Sequence, residues 1–293
     1  MQQNLFPKSS PNTPSQNPQK KTSIGQANVA YADASSILTP TKGFLSSYDY
    51  SLNPYSGCSF GCNYCYAAFF ATTQQNRDNW GYWIKVKDNA LQLLTKWRKK
   101  PLIDKVIYLS SVTDPYQPVE RSLKLTRQLL QELLDYHQVT LLIQTRSPLV
   151  TRDIDLLQKF DKAQVNMTIT TDDEAVRKAF EPLCPSNKTR LKAIAEVHQA
   201  GVESCISLTP LLPVANAHAF AQQMANTGIT KYIAQNFHMG KGKFVANTRE
   251  DALKMMEKMG WNDQKYRDTI KILKKYLPEL SEGKDGFSAK KVG

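Results

Sequence analysis

The sequence predicts an α/β fold, a partial (β/α)6 TIM-like barrel with a disordered N-terminal tail. From about residue 105 onward, short β-rich runs alternate with amphipathic helical patterns, which is typical of repeated βα units around a parallel sheet. The runs are almost continuously apolar in their inner stretches, so they suit strands that are buried on both faces. Six such runs indicate an open, three-quarter barrel.

The predicted strands follow one another along the chain with room for a helix between most of them. The first leads into a cluster of cysteines, and the other five lie in the central part of the sequence. They are Tyr50–Pro54, Lys105–Ser110, Val139–Thr145, Val165–Thr170, Val202–Leu208 and Lys231–Asn236.

The predicted helices carry their own start and stop signals. Ser186 can cap a helix that Gly201 ends just before the next strand. Thr248, with Asp251 three residues later, forms a capping-box-like start for another helix through Met259. Two earlier helices and the end of the last one complete the pattern: Asn89–Trp97, Leu123–Leu134 and Pro278.

The chain divides into three parts by composition. Residues 1–40 are rich in Gln, Asn, Ser, Pro, Thr and Lys and are predicted to be a disordered polar tail, because they offer little apolar surface to bury. Residues 41–260 are predicted to form the barrel, and residues 261–293 a C-terminal helix and a basic tail. No apolar run approaches the roughly 20 residues of a membrane span, and no signal peptide is evident, so we expect a cytoplasmic protein.

The formal net charge of the 293 residues is +12. Such an excess attracts nucleic acid and other polyanions through phosphate contacts. Solvated basic tails explain the charge equally well, and both interpretations stay open.

Three of the five cysteines stand at spacing C-x3-C-x2-C, at Cys58, Cys62 and Cys65. Iron–sulfur clusters are held by soft thiolates, and three protein ligands leave one iron of a [4Fe–4S] cluster open to an outside ligand. Structural zinc instead prefers four ligands, and the sequence has no second cysteine pair. Gly57 and Gly61 suit a loop that wraps a bulky cluster. Three ordinary buried thiols or an incomplete zinc knuckle are the alternatives.

The motif of Cys58, Cys62, Tyr64 and Cys65 resembles the C-x3-C-x-Φ-C signature of the radical SAM superfamily, where Φ is aromatic. Further segments are similar to the branch of that family related to spore photoproduct lyase, and the similarity covers roughly residues 38–240. These segments are Thr113–Arg127, Gln144–Leu157, Thr168–Pro182 and Pro185–Val202.

The resemblance implies two cofactors and the residues that bind them. The three cysteines would bind three irons of a [4Fe–4S] cluster, and S-adenosylmethionine would chelate the fourth. Tyr64 would lie against the adenine and Arg146 near the cofactor carboxylate. Thr168 and Thr170 replace a polar S-x-N found near the ribose in relatives.

In barrels of this kind the active site lies at the carboxyl ends of the strands. Polar residues that follow predicted strands are therefore expected to face the cofactor, Thr113 and Asp114 among them. The full set is Ser111, Thr113, Asp114, Gln117, Gln144, Arg146, Thr168, Thr170 and His238.

Several of these residues also have a structural interpretation. Asp114 precedes Pro115 and is an ordinary turn signal. Glu181 and Arg190 fit the E-x8-R pattern of the family, and we favour pairing with each other over contact with the cofactor. A lone histidine such as His238 is more often structural than catalytic. Two further thiols are predicted to be packing residues: Cys184, between two prolines, and Cys205, in a strand.

The sequence thus predicts a radical SAM enzyme that reductively cleaves S-adenosylmethionine and forms a 5′-deoxyadenosyl radical. Its substrate is not specified, with nucleic acid as one candidate, and the implied reducing partner is a protein such as a flavodoxin or ferredoxin. One alternative is a non-catalytic iron–sulfur electron-transfer or sensing protein, which would need a fourth cysteine near the loop. Another is a metal-stabilised nucleic-acid-binding module, although no such motif is recognisable.

The similarity to spore photoproduct lyase has one informative exception. In that enzyme a cysteine after the second strand returns a hydrogen atom to the product radical. Ser111 aligns with this cysteine, and an alcohol O–H bond is much stronger than a thiol S–H bond. The sequence therefore predicts that this chain is not a self-sufficient spore photoproduct lyase.

Overall fold

The computed structural model describes residues 20–239, 248 and 250–287. Within them the chain alternates strands and helices, as the sequence predicts. The strands are β1 (Ser23–Ile24), β2 (Ala27–Ala32), β3 (Leu38–Pro40), β4 (Tyr50–Leu52), β5 (Tyr55–Ser56), β6 (Trp83–Lys87), β7 (Ile103–Leu109), β8 (Gln138–Thr145), β9 (Lys162–Thr168), β10 (Glu203–Leu211), β11 (Lys231–Asn236) and β12 (Leu280–Glu282).

The helices lie mostly between the strands of the second half of the chain. They are α1 (Gln74–Asp78), α2 (Ala90–Thr95), α3 (Glu120–Leu123), α4 (Leu125–Tyr136), α5 (Ile154–Leu157), α6 (Glu174–Phe180), α7 (Asn187–Gln199), α8 (Ala217–Ala225), α9 (Glu250–Lys258), α10 (Asp263–Tyr276) and α11 (Gly283–Gly286). Short 3₁₀ helices occur at Gly43–Leu45, Tyr66–Phe70, Lys96–Lys99 and Pro148–Asp153.

The main sheet has eight strands in the order β12-β11-β10-β9-β8-β7-β4-β3. The six strands from β4 to β11 in this order are parallel neighbours, and they are the six that the sequence predicts. β3 pairs antiparallel with β4, and β12 pairs parallel with β11, so these two strands form the edges of an open sheet. The partial barrel is confirmed, with one extra strand at each edge.

Helix α7 illustrates how local sequence signals set the element boundaries. The Ser186 hydroxyl accepts a hydrogen bond from the Thr189 amide, which caps the helix as predicted. Gly201 follows the helix at φ +84°, a left-handed conformation that glycine adopts without a steric penalty. Helix α9 begins at Glu250, whereas residue 249, within the predicted capping box of Thr248 and Asp251, lies outside the described residues.

The prediction of a disordered tail over residues 1–40 is wrong for its second half, while residues 1–19 lie outside the described residues. β2 pairs in parallel with β6 in a second sheet of order β1-β2-β6-β5. Ala27 and Val29 of β2 are buried and Ile37 joins the same core. These few apolar side chains are separated by polar ones, so their burial depends on a partner strand about 55 residues later in the chain.

The basic tail expected after the last helix is also partly ordered. After α10, Leu280–Glu282 adds β12 to the main sheet, and Phe287 packs against Phe44 with ring centroids 5.3 Å apart. Residues 288–293 lie outside the described residues. The segments beside β3 and β12 thus meet across the open side of the barrel.

A second buried cluster lies apart from the main core. Tyr108, Leu142, Cys205 and Ile233 project from four strands of the main sheet and pack with Tyr48 and Phe287. Cys205 is therefore a packing residue in a strand, as predicted. No helix in the described part of the chain is long and apolar enough to cross a membrane.

Candidate active site

The loop of residues 57–65, here named the cysteine loop, follows β5 and needs glycine at two positions. Gly57 has φ +77°, and a Cβ there would lie 2.5 Å from the carbonyl oxygen of Trp83 on β6. Gly61 has φ +56° and faces Gly81, whose Cα would be 3.0 Å from an added Cβ. Backbone approaches this close exclude any side chain. Both glycines therefore have the role that the sequence predicts for them.

The thiols of the cysteine loop share one cavity of about 690 Å³. Cys58, Cys62 and Cys65 all line it, and none of the five cysteines forms a disulfide. Burial raises the pKa of Cys58 well above its ordinary value and that of Cys65 to about 12. Burial thus disfavours the thiolate form that a metal ligand needs, so a metal bound here would have to displace the thiol protons.

Gln117, in the segment after β7, fastens the cysteine loop from one side. Its Oε1 accepts a 3.0 Å hydrogen bond from the Ser59 amide, and its Nε2 donates to Thr113 Oγ1 at 3.2 Å. The Thr113 hydroxyl in turn donates to the Gly57 carbonyl at 2.6 Å. Gln117 is fully buried, so these bonds hold the loop backbone in a water-free setting.

The C-terminal end of α6 and the residue that follows it fasten the loop from the other side. Asn63 donates its amide to the Phe180 carbonyl at 2.9 Å and its side-chain Nδ2 to the Ala179 carbonyl at 2.8 Å. The Tyr64 hydroxyl donates to Glu181 Oε1. Two consecutive residues of the cysteine loop are therefore held in position by three consecutive residues that lie more than 100 positions later in the chain.

Glu181 is fully buried and carries a negative charge held by arginines. It forms a salt bridge with Arg190, which is also fully buried, and accepts a 3.0 Å hydrogen bond from Thr170 Oγ1. Burial by itself raises the pKa of Glu181, but Arg190 and Arg146 outweigh it and hold the pKa at about 2. Glu181 and Arg190 thus pair with each other, as favoured from the sequence, and Glu181 also positions Tyr64.

Arg146 lines the cavity and forms an ion pair with Glu181. Its Nη2 donates to the Tyr64 hydroxyl at 3.3 Å. Its Nε lies 3.7 Å from Glu181 Oε1 and has no hydrogen-bond partner among the described residues. Arg146 brings a positive charge to the cavity wall, so this side of the cavity suits an anionic group such as a carboxylate.

Asp114 positions other residues instead of pointing freely into the cavity. Its Oδ1 accepts from Thr145 Oγ1 at 2.8 Å and from the Tyr116 amide at 2.9 Å, and its Oδ2 accepts from the Arg146 amide at 2.7 Å. Burial raises the pKa of Asp114 despite these bonds. The carboxylate therefore joins the ends of two neighbouring loops.

Most of the residues predicted to bind the cofactor come together along the cavity. Tyr64, Thr113, Asp114, Arg146 and Thr168 line it, and so do Ser111, Gln144 and His238. Thr170 does not line the cavity, because its hydroxyl turns to Glu181. The rule that strand ends converge on one site accounts for most of this set.

Aromatic side chains of the cavity were missed by the reasoning from sequence. The run YAAFF directly after the cysteine loop was the available signal, since it places rings next to the site. Phe287 had no local signal because its sequence neighbours are polar and it arrives through β12. The aromatic lining residues are Phe44, Phe60, Tyr66, Phe70, Tyr108, Phe237 and Phe287, with Tyr64 and Trp80.

No fourth cysteine lies near the loop along the sequence, and we expected none beside it. The fold nevertheless brings a fourth cysteine into contact with the loop. Cys184 Sγ lies 3.6 Å from Cys62 Sγ, 122 positions away in the chain. The hydrogen bond between the two thiols lowers the pKa of Cys62. Cys184 is also a core residue, so the packing role predicted for it is incomplete and not mistaken.

The residues present fit a [4Fe–4S] cluster and S-adenosylmethionine. Three soft thiols with no disulfide partner face one cavity, and a glycine-bearing loop makes room for a bulky group. Arg146 lines the same cavity, and its guanidinium is a charged donor of the kind that pairs with a carboxylate such as that of S-adenosylmethionine.

A family model of the radical SAM superfamily matches residues 52–224, more than half of the chain. The chain belongs to the radical SAM superfamily. The match begins in β4, includes the whole cysteine loop and ends in α8.

Relatives of this radical SAM protein occur in archaea, viruses and bacteria. An uncharacterized protein of Methanocaldococcus jannaschii is 36% identical over 176 residues, covering 60% of this chain and 64% of that protein. An uncharacterized protein of Acidianus two-tailed virus is 28% identical over 211 residues, covering 66% of this chain and 68% of the viral protein. The chain thus spans about two thirds of the length of these relatives.

Solved structures of similar fold include spore photoproduct lyase. A variant of that enzyme with bound AdoMet and dinucleoside spore photoproduct has a TM-score of 0.59 and 14% sequence identity, covering 87% of this chain and 81% of that one. SuiB of Streptococcus suis bound to S-adenosylmethionine has a TM-score of 0.51 and 11% identity, covering 80% of this chain and 49% of that one. At these identities the comparison supports the fold alone.

Proposed function

We propose that this radical SAM protein binds a [4Fe–4S] cluster through Cys58, Cys62 and Cys65 and cleaves S-adenosylmethionine reductively. The observation that carries the proposal is that three thiols without disulfide partners and the cationic side chain of Arg146 line one cavity. When bound, the reduced cluster supplies the electron that splits the sulfonium and yields a 5′-deoxyadenosyl radical. A flavodoxin or ferredoxin is the proposed source of that electron.

The residues of the chain would bind, orient and shield the cofactors. Arg146 would pair with the carboxylate of S-adenosylmethionine, because a charge-assisted hydrogen bond is about twice as strong as a neutral one. Tyr64, fixed by Glu181, would present its ring to the adenine. The aromatic lining excludes water, which protects a reactive radical from side reactions.

The test is anaerobic reconstitution followed by iron and sulfide counting and paramagnetic resonance of the reduced protein. We expect about four irons per chain and formation of 5′-deoxyadenosine from S-adenosylmethionine. Cys205→Ala is the matched control, because Cys205 is a buried thiol that does not line the cavity, and its replacement should leave both results unchanged. Full cluster retention in a variant with Cys58, Cys62 and Cys65 all replaced by alanine would contradict the proposal.

We also propose nucleic acid as the substrate class, because of the charge of +12 and the aromatic rim of the cavity. Phe70 is 61% exposed and Tyr66 42% exposed, and both line the cavity, so they offer ring faces on which bases can stack. Binding of a labelled single-stranded oligonucleotide should weaken steeply between about 50 and 200 mM salt.

Phe70→Ala should weaken this binding roughly fivefold or more, since stacking is worth about 1–3 kcal/mol per base. Tyr136→Ala is the control, because Tyr136 is exposed on α4 but does not line the cavity. Binding that is absent at low salt, or equal in the two variants, would remove the support for a nucleic-acid substrate.

A further inference from the structure

Cys184 is a buried thiol that contacts the cysteine loop from behind. Its Sγ lies 3.6 Å from Cys62 Sγ, and the two residues are 6% and 4% exposed. Cys62 lines the cavity, whereas Cys184 does not. The contact therefore reaches the Cys62 sulfur from the side away from the cavity.

The backbone around Cys184 is fixed on both sides of the thiol. The Cys184 amide donates to the Glu181 carbonyl at 3.1 Å. Arg177 Nη1 donates to the Glu181 carbonyl at 2.7 Å and to the Cys184 carbonyl at 2.8 Å. Pro185 follows and restricts the chain further. Because Arg177 is itself buried, the turn has little freedom to move the thiol away from Cys62.

The direction of this hydrogen bond follows from the chemistry of the two sulfurs. A cysteine that ligates iron does so as a thiolate, so a ligating Cys62 has no proton to donate and can only accept. Cys184 lies off the cavity and is not one of the three proposed ligands. The proton shared by the two sulfurs therefore belongs to Cys184, which is the donor.

We propose that Cys184 is a positioning residue that donates an S–H···S hydrogen bond to Cys62 and thereby raises the reduction potential of the bound cluster. Hydrogen bonds to the sulfurs of an iron–sulfur cluster withdraw negative charge and stabilise its reduced form. The inference rests on the proposed function, because it requires the cluster on the cysteine loop. A higher potential allows a milder reducing partner to load the electron.

The test compares three variants after anaerobic reconstitution: Cys184→Ala, Cys184→Ser and Cys205→Ala. Potentiometric titration monitored by paramagnetic resonance measures the midpoint potential of each. Cys184→Ala should shift the midpoint to a more negative value, because it removes the donor. Cys184→Ser keeps a donor and should lie above the alanine variant, while Cys205→Ala should match the wild type.

A second readout detects the bonded proton directly. In heavy water, electron–nuclear double resonance of the reduced wild type should show an exchangeable deuteron coupled to the cluster, and Cys184→Ala should lack it. If the alanine variant does not fold, the wild-type and serine spectra still decide the matter, since a missing deuteron coupling overturns the proposal.

Iron and sulfide counts separate failure of this inference from failure of the proposed function. A wild type that loads no cluster would overturn both. Fully loaded proteins whose midpoints are equal with alanine and cysteine at position 184 would overturn the hydrogen-bond proposal alone.

Discussion

Replacing Gln117 by leucine should loosen the cysteine loop without leaving a large hole. The two side chains have similar size, so the variant tests the hydrogen bonds of the amide more than its volume. In the native chain Oε1 accepts from the Ser59 amide at 3.0 Å, and Nε2 donates to Thr113 Oγ1 at 3.2 Å. The bonds to Ser59 Oγ at 3.4 Å and to the Gly57 carbonyl at 3.5 Å are weaker.

The size of the effect follows from what is left behind. The Ser59 amide is buried, and without Gln117 it loses its acceptor, which costs about 1–3 kcal/mol. The Thr113 hydroxyl still donates to the Gly57 carbonyl and loses only the bond that it accepts from Gln117. That loss costs about as much as one net hydrogen bond, about 0.5–1.5 kcal/mol. We therefore expect Gln117→Leu to lower the free energy of unfolding by about 1.5–4.5 kcal/mol.

The assay is urea unfolding of the metal-free protein, followed by iron and sulfide counting after reconstitution. The midpoint of unfolding should fall with an unchanged slope, and cluster content should drop with it. Gln222→Leu is the matched control, because Gln222 is exposed on α8, where such changes stay within about 0.5 kcal/mol. A loss below about 0.5 kcal/mol with full cluster content in Gln117→Leu would refute the reasoning.

Three further predictions concern the cofactor, the acid stability and the reaction. Arg146→Ala should weaken binding of S-adenosylmethionine roughly tenfold or more, measured by equilibrium dialysis, because it removes a charge-assisted bond worth about 1.5–3 kcal/mol. The folded pKa of Glu181 is about 2, below the ordinary 4.5, so its contribution to stability is complete above pH 4.5 and lost as the pH falls towards 2. Glu181→Gln should remove that acid dependence. It should also lower the free energy of unfolding by about 3–5 kcal/mol at neutral pH, because Arg190 loses its buried charged partner. Urea unfolding across a pH series measures both effects. With Ser111 in place of a thiol, the reconstituted protein should cleave S-adenosylmethionine but leave DNA containing spore photoproduct unrepaired, as followed by thymine release; clean multiple-turnover repair would contradict this.

The parts of the fold that follow from local pattern could be predicted from the sequence. The strand Lys231–Asn236 was predicted with the bounds that the structure gives it, because its apolar run is short and clearly bounded. The spacing of Cys58, Cys62 and Cys65 predicted three thiols at one site, and the structure places all three along one cavity, because residues of one short loop stay close together.

The parts that depend on distant partners could not be predicted in the same way. Ala27 and Val29 were assigned to a polar tail, because the strand that pairs with theirs, β6, lies far along the chain. Cys184 was predicted to be an ordinary packing thiol, because its contact with Cys62 joins residues 122 positions apart and leaves no local signal in the sequence. Asp114 was predicted to bind the cofactor because it follows a strand. Its hydrogen bonds from Thr145 and Arg146, which show that it joins two loops, could not be inferred from that position.

The contact of Phe44 with Phe287 has a consequence for the order in which the site is built. Both rings line the cavity, but Phe287 leaves the ribosome long after Cys65, by about 10–40 s at synthesis rates of about 5–20 residues per second. During that interval the three thiols have been made while one wall of their cavity is still missing. A donor of the proposed iron–sulfur cluster would therefore have access to the nascent chain before the aromatic pair closes the open side of the barrel.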